Sequence, residues 1–181
     1  MKRVFITGAS SGLGEALARE YAERGARVGL LARREDALRR LAGSLPNPSL
    51  HAIYPADVND RAALRAAAAD FIRLTGGIDI VIANAGISYG TLTERSADLD
   101  VFAQVIQTNV VATAATFAPF IDAMKAQAAA GERGLRLVGI ASVAGIRGLP
   151  GAEAYSASKA AVISYCESLR VELRAHGIRV V

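Results

Sequence analysis

Short runs of consecutive apolar residues alternate along the chain with longer stretches in which apolar positions recur every three or four residues. That is the pattern of βαβ units and of a parallel sheet covered on both faces. The runs Val4–Thr7, Arg27–Ala32, Leu50–Tyr54, Ile78–Ala83, Leu135–Ser142 and Ile178–Val181 read as six strands. Helical periodicity predicts Leu13–Arg24, Glu35–Ala42, Asp60–Leu74, Leu99–Ala128 and Ala152–His176, several followed by a glycine as helix ends commonly are. No linker or internal repeat divides residues 1–181, and the alanine run Ala62–Ala69 favours helix rather than low complexity. One α/β domain follows, a doubly wound parallel sheet with helices on both faces. The chain stops at Arg179-Val180-Val181, in mid-strand and with no turn chemistry after it, so we expect the natural protein to continue.

Composition narrows the class. Hydrophobic residues make up 52% of the chain and charged residues 21%, which excludes disorder. The single cysteine, Cys166, rules out an intrachain disulfide framework, and His51 and His176 alone cannot complete a zinc cage. No metal is expected. Neither a signal-peptide core nor an apolar run long enough to span a membrane is evident, so the expectation is a cytoplasmic protein without a membrane partner. The net charge of +4 is carried by basic residues scattered singly or in pairs with no aromatic platform among them, which argues against nucleic acid. Of the 21 basic residues, 18 are arginine, so Lys159, inside a predicted helix, stands out.

After the first strand, Thr7-Gly8-Ala9-Ser10-Ser11-Gly12-Leu13-Gly14 runs straight into helical periodicity. In a strand–glycine turn–helix unit, glycine lets the backbone approach a pyrophosphate, whose charge meets the N–H groups and positive dipole end of the helix. Ser10 and Ser11 can cap that helix or donate to phosphate. Where an enzyme specific for NAD carries a carboxylate, at the end of the second strand, this chain has Arg33-Arg34. An acid would repel a 2′-phosphate, whereas Arg33 can bond to it, so the expected cofactor is NADP(H).

The most specific stretch runs from Ser142 to Lys159 and ends in Tyr155-x-x-x-Lys159. Residues four apart share a helix face, so the Lys159 ammonium lies near Tyr155 and favours its phenolate. A free phenol has a pKa near 10, and general acid/base work at neutral pH needs that help. Ser142, at the end of the fifth strand, can hold a substrate oxygen beside Tyr155. Negative charge develops on that oxygen during hydride transfer, and a positioned proton donor neutralises it.

The spacing T-G-x-x-x-G-x-G, with Ser142 and Tyr155/Lys159 in this order, resembles the short-chain dehydrogenase/reductase family over essentially the whole chain. The resemblance implies a Rossmann-type fold that here lacks its C-terminal strand and lid. It implies that Gly8, Ser10, Ser11, Gly12, Leu13 and Gly14 hold the dinucleotide. Asp57-Val58 would face the adenine, Asn84-Ala85-Gly86 matches the family's N-A-G loop, and Lys159 with Tyr155 would also hold the nicotinamide ribose. Asn109 matches an asparagine that supports a water-linked proton relay beside Ser142, Tyr155 and Lys159. The expected activity is an NADP(H)-dependent oxidoreductase on a small carbonyl or secondary alcohol. The long helices carry more apolar and small residues (Val110, Val111, Ala112, Ala114, Ala115, Phe117, Ala160, Ala161, Ile163, Tyr165, Leu169) than one buried stripe needs, and the resemblance implies that these helices pair into a homodimer or homotetramer. Two readings compete: a non-catalytic dinucleotide sensor or scaffold, which would tolerate loss of Tyr155 or Lys159, and a nucleotide-dependent methyltransferase, which has no use for either. Ile87, Ser88, Tyr89 and Val143 are expected to face a moderately apolar substrate.

Overall fold

A computed structural model describes all residues from Met1 to Val181. The strands are β1 (Arg3–Thr7), β2 (Arg27–Ala32), β3 (Ala52–Pro55), β4 (Ile80–Ala83), β5 (Arg136–Gly139) and β6 (Arg179–Val180). They form one sheet in the order β3-β2-β1-β4-β5-β6, every neighbouring pair parallel. The helices are α1 (Gly12–Glu23), α2 (Glu35–Ser44), α3 (Arg61–Thr75), α4 (Asp98–Ile106), α5 (Ala112–Ala129) and α6 (Glu153–Arg174). Between α4 and α5, Gln107–Val111 forms a π-helical turn, so the chain runs as one continuous helix from Asp98 to Ala129.

Alternation along β1 explains why both faces must be covered. Val4 and Ile6 join a core with Ala18, Ala22, Leu38 and Leu41 of α1 and α2, while Phe5 points the other way into a larger core with Phe71, Phe117, Phe120 and Met124. All four of those aromatic and methionine partners are fully buried. Gly29 of β2 is required by this packing, because a Cβ there would stand 2.7 Å from the Phe5 ring and 2.8 Å from that of Phe71.

Several boundaries differ from the sequence reading. The third strand begins at Ala52 because Pro48–Leu50 closes a 3-10 turn, and the fifth ends at Gly139, after which the chain leaves the sheet toward Ser142. Against the expectation of no apolar run of membrane length, the continuous helix Asp98–Ala129 is long and apolar enough, by length and composition, to cross a membrane. Its buried side chains Phe117, Phe120 and Met124 join the core beneath the sheet, with Ala115, Ile121, Ala123 and Ala128 packed partly buried against it.

A polar knot closes the N-terminal edge of the sheet. Asp79, just before β4, accepts from the Arg3 backbone N–H at 2.7 Å and from its guanidinium at 3.0 and 3.1 Å, and Arg3 also reaches Glu132. Burial alone would raise the Asp79 pKa, but the bonds from Arg3 outweigh it and hold the carboxyl below its ordinary 3.8. A depressed folded pKa stabilises the protein fully above the unfolded value, and the contribution is lost as pH falls through the folded one. Asp79→Asn should therefore cost about 1–2 kcal/mol of unfolding free energy at neutral pH. Urea titrations should show that deficit shrinking below pH ~4, and a deficit of the same size at both pH values would contradict this role.

Candidate active site

Strand order reverses between β1 and β4, so their C-terminal ends open a crevice, the place where parallel sheets of this kind bind ligands. The two strand ends are stitched together. Thr7 Oγ1 accepts from the backbone N–H groups of Asn84 and Ala85 at 3.1 and 3.2 Å, and Asn84 Nδ2 donates to the carbonyls of Thr7 and Gly8 at 3.0 and 3.3 Å. The Asn84 amide thus braces the glycine loop, while the Asn84–Gly86 segment lines the crevice.

The glycine spacing has a steric reason. Gly8 sits at φ +66°, where a Cβ would lie 2.8 Å from Ala85 Cα. A Cβ on Gly14 would stand 2.3 Å from the Gly8 carbonyl oxygen, so α1 can approach β1 this closely only without a side chain. Ser11 occupies the N-cap in extended conformation and makes no side-chain capping bond, which leaves first-turn N–H groups of α1 for an anion.

From this loop a cavity of about 340 Å³ extends along the strand ends. Gly8, Ser10, Ser11, Arg33, Asp57, Val58 and the Asn84–Gly86 loop all line it, whereas Gly12, Leu13 and Gly14 lie just behind, in the first turn of α1. Arg33 is exposed and holds no carboxylate. Its neighbour Arg34, which the sequence leaves unassigned, donates to both the carbonyl and the hydroxyl oxygen of Ser10 at 3.2 Å. Asp57 is held by the Asn59 backbone N–H at 2.9 Å, and Asn59 reaches across to Thr108 in the π turn at 3.1 Å. Ile87 and Tyr89 line the cavity, whereas Ser88 and Val143 do not.

Lys159 stands behind the far wall. It is 5% exposed, and its ammonium donates to the Ile140 carbonyl at 2.7 Å and lies 5.6 Å from the Tyr155 ring centroid. A Cβ on Gly86 would come within 3.7 Å of that ammonium, so the cavity lining and Lys159 are neighbours. Burial holds the Lys159 pKa below its ordinary value. An ammonium has three donors, and one is engaged.

Ser142 opens the 3-10 turn Val143–Gly145, and its hydroxyl oxygen accepts from the Ala144 N–H at 3.1 Å. Its own proton remains free to donate. The turn rests directly on α6, because Gly145 has no side chain where a Cβ would meet the Lys159 carbonyl carbon at 2.6 Å. Ser142, Tyr155 and Lys159 are therefore brought to one corner, although none of them lines the main cavity.

Asn109 is placed differently from a residue that exchanges protons through its side chain. It is 1% exposed, its oxygen accepts from the Ile87 N–H at 2.8 Å, and its amide donates to the Ile87 carbonyl and to Ser158 Oγ, each at 2.9 Å. Both amide protons are engaged inside the protein, so the side chain acts as a strut. Ser158 and the π turn escaped the sequence reading. A serine beside Lys159 is the only visible trace of the first, and Gln107–Val111 merely continues the helical pattern.

The family model for short chain dehydrogenases matches residues 2–181. An uncharacterized oxidoreductase of Mycobacterium tuberculosis is 41% identical over 182 residues, covering 99% of this chain and 70% of its own. A dehydrogenase/reductase SDR family protein 7-like of Anopheles gambiae is 36% identical over 188 residues, covering 99% of this chain and 56% of its own. Among solved structures, the 3-ketoacyl-(acyl-carrier-protein) reductase of Brucella melitensis, complexed with NADH, superposes with a TM-score of 0.92 at 29% identity, over 99% of this chain and 72% of that one. The chain spans about half the length of several curated relatives it matches, 48% in one case and 56% in another.

Proposed function

The chain belongs to the short-chain dehydrogenase family, and on that footing we propose that it is an NADP(H)-dependent oxidoreductase of carbonyl compounds and secondary alcohols. The observation that carries the reading is the corner formed by Tyr155, the buried Lys159 ammonium and the free Ser142 proton, adjoining the crevice that the glycine loop and the strand ends line. The residues fit such a cofactor: Gly8, Ser10 and Ser11 line the cavity beside the uncapped first turn of α1, and its volume of about 340 Å³ falls within the usual range for small-molecule sites, about 300–1,000 Å³. Gly8, Ser10, Ser11 and the first turn of α1 would hold its pyrophosphate, Arg33 its 2′-phosphate and Asp57 with Val58 its adenine. When bound, the nicotinamide supplies or accepts the hydride.

The chain's own groups then have distinct tasks. Ser142 donates its free proton to the substrate oxygen and fixes its orientation. Tyr155 gives its phenolic proton to that oxygen in reduction and takes it back in oxidation. Lys159 keeps positive charge beside the ring, which stabilises the negative charge left on the phenolic oxygen. Asn109 steadies Ile87 and α6. Val143, Ile146 and Tyr89, exposed at 77%, 83% and 49%, lie on the segments flanking this corner and favour a carbonyl compound with an apolar body. Absorbance at the reduced-nicotinamide band, followed with a panel of ketones, tests the reading: turnover with NADPH supports it, and none with any carbonyl or alcohol would overturn it.

The oligomer belongs to the same proposal. Ala112, Phe117 and Leu169 are buried in the monomer, whereas Val110, Val111, Ala114, Ala161 and Ile163 are only half-buried and Ala160 is exposed. A homodimer or homotetramer through α5 and α6 would cover them. Light scattering should show a multiple of the chain mass at micromolar concentration, and Ala161→Glu should reduce it to the monomer; a monomeric parent protein would refute the pairing. Cytoplasmic residence is proposed as well, on the ground of a single thiol that is buried and unpaired.

A further inference from the structure

The two polar hydrogen-bonding functions of one buried hydroxyl connect the proton-transfer helix to the wall of the cleft. Ser158 is 0% exposed, and its hydroxyl donates to the Tyr155 carbonyl at 2.7 Å while accepting from Asn109 Nδ2 at 2.9 Å. Asn109 in turn grips both the N–H and the carbonyl of Ile87, a cavity-lining residue, at 2.8 and 2.9 Å. A continuous chain of bonds therefore runs from the backbone of Tyr155, through Ser158 and Asn109, to the segment that follows the Asn84–Gly86 loop.

The π turn makes this chain possible. Gln107–Val111 adds a residue's worth of winding to an otherwise α-helical element, and the buried Asn109 lies within it, turned toward both Ile87 and α6. Thr113 Oγ1 ties down the Asn109 carbonyl at 2.8 Å, and Asn59 holds Thr108 from the β3 side. Every buried side-chain nitrogen and oxygen of the junction has a hydrogen-bond partner.

We propose that Ser158 is a positioning residue for proton transfer, which sets where the Tyr155 hydroxyl stands relative to the cleft wall at Ile87; this rests on the reading of Tyr155 as proton donor. It touches neither substrate nor cofactor. Ser158→Ala removes both bonds with almost no change in volume and leaves one Asn109 amide proton without a partner. A small displacement of a reacting group is enough to slow a reaction by about 10- to 100-fold.

The test compares Ser158→Ala, Ser158→Thr and Ser158→Cys with the parent in carbonyl reduction. For Ser158→Ala, kcat should fall by about 10-fold or more, with the KM and Kd for NADPH within about twofold and a larger solvent deuterium isotope effect on kcat. Ser158→Thr, which restores the hydroxyl, should recover most of the rate. If Ser158→Ala does not fold, Ser158→Cys carries the test, since its weakly bonding thiol should keep the fold and still lower kcat. Unchanged kcat in the folded variant, or a loss confined to melting temperature, overturns the role of Ser158. A parent protein that turns over no carbonyl overturns instead the reading of the site on which it rests.

Discussion

Tyr155→Phe is expected to lower kcat by about 10²–10⁴-fold, the usual worth of a positioned general acid. The substitution keeps the ring, which packs 5.6 Å from the Lys159 ammonium, and removes only the hydroxyl that exchanges a proton with the substrate oxygen. Ser142 can still orient that oxygen, but its own hydroxyl lacks an adjacent buried cation to stabilise the charge left behind. Cofactor affinity should stay within about twofold, because the glycine loop, Arg33 and Asp57 are untouched. Steady-state kinetics paired with calorimetric titration separates the two effects. Near-native turnover in Tyr155→Phe would leave the mechanism without its proton donor.

The second large effect concerns the choice of cofactor. Arg33 lines the cavity without a carboxylate partner, at the end proposed for the adenosine, whereas Arg34 is already bound to Ser10. A charge-assisted bond to phosphate is worth about 1.5–3 kcal/mol, so Arg33→Ala should weaken NADPH binding by about 10- to 100-fold. NADH has no 2′-phosphate, and its affinity should barely move. Because Arg33 is exposed, added salt should weaken NADPH binding more than NADH binding in the parent protein. Equal or tighter binding of NADH by the parent would contradict the assignment.

The fold was legible because its central strands β1, β2 and β4 are buried on both faces and so read as uninterrupted apolar runs, as Leu30-Leu31 and Val81-Ile82 do. The glycine loop was legible from its spacing between a strand and a helix, and one of its steric reasons is local, the approach of Gly14 to the Gly8 carbonyl; the other, the crowding of Gly8 by Asn84 and Ala85, comes from far along the chain. Tyr155 and Lys159 shared a helix face by spacing alone. What stayed hidden depends on partners far away in the chain. Ser158 and Asn109 are 49 positions apart, and nothing in either neighbourhood announces their hydrogen bond. Arg33 and Arg34 look alike as letters, and only the approach of Ser10, 24 residues upstream of Arg34, separates the free guanidinium from the anchored one. The π turn is a case of the same kind: Gln107–Val111 continues the helical pattern, and only the bonds to Ile87 and Asn59 reveal what the extra winding does.

The central claim is that this site moves a hydride between NADP(H) and a carbonyl carbon, and label transfer tests it most directly. The protein is incubated with an apolar ketone and NADPH deuterated at the transferable position, and the alcohol product is analysed by mass spectrometry and NMR. The account predicts one deuterium on the carbinol carbon for each NADPH oxidised, with Tyr155→Phe forming alcohol more slowly but at the same one deuterium per molecule. NADPH that binds but yields no labelled alcohol from any carbonyl tried would contradict it.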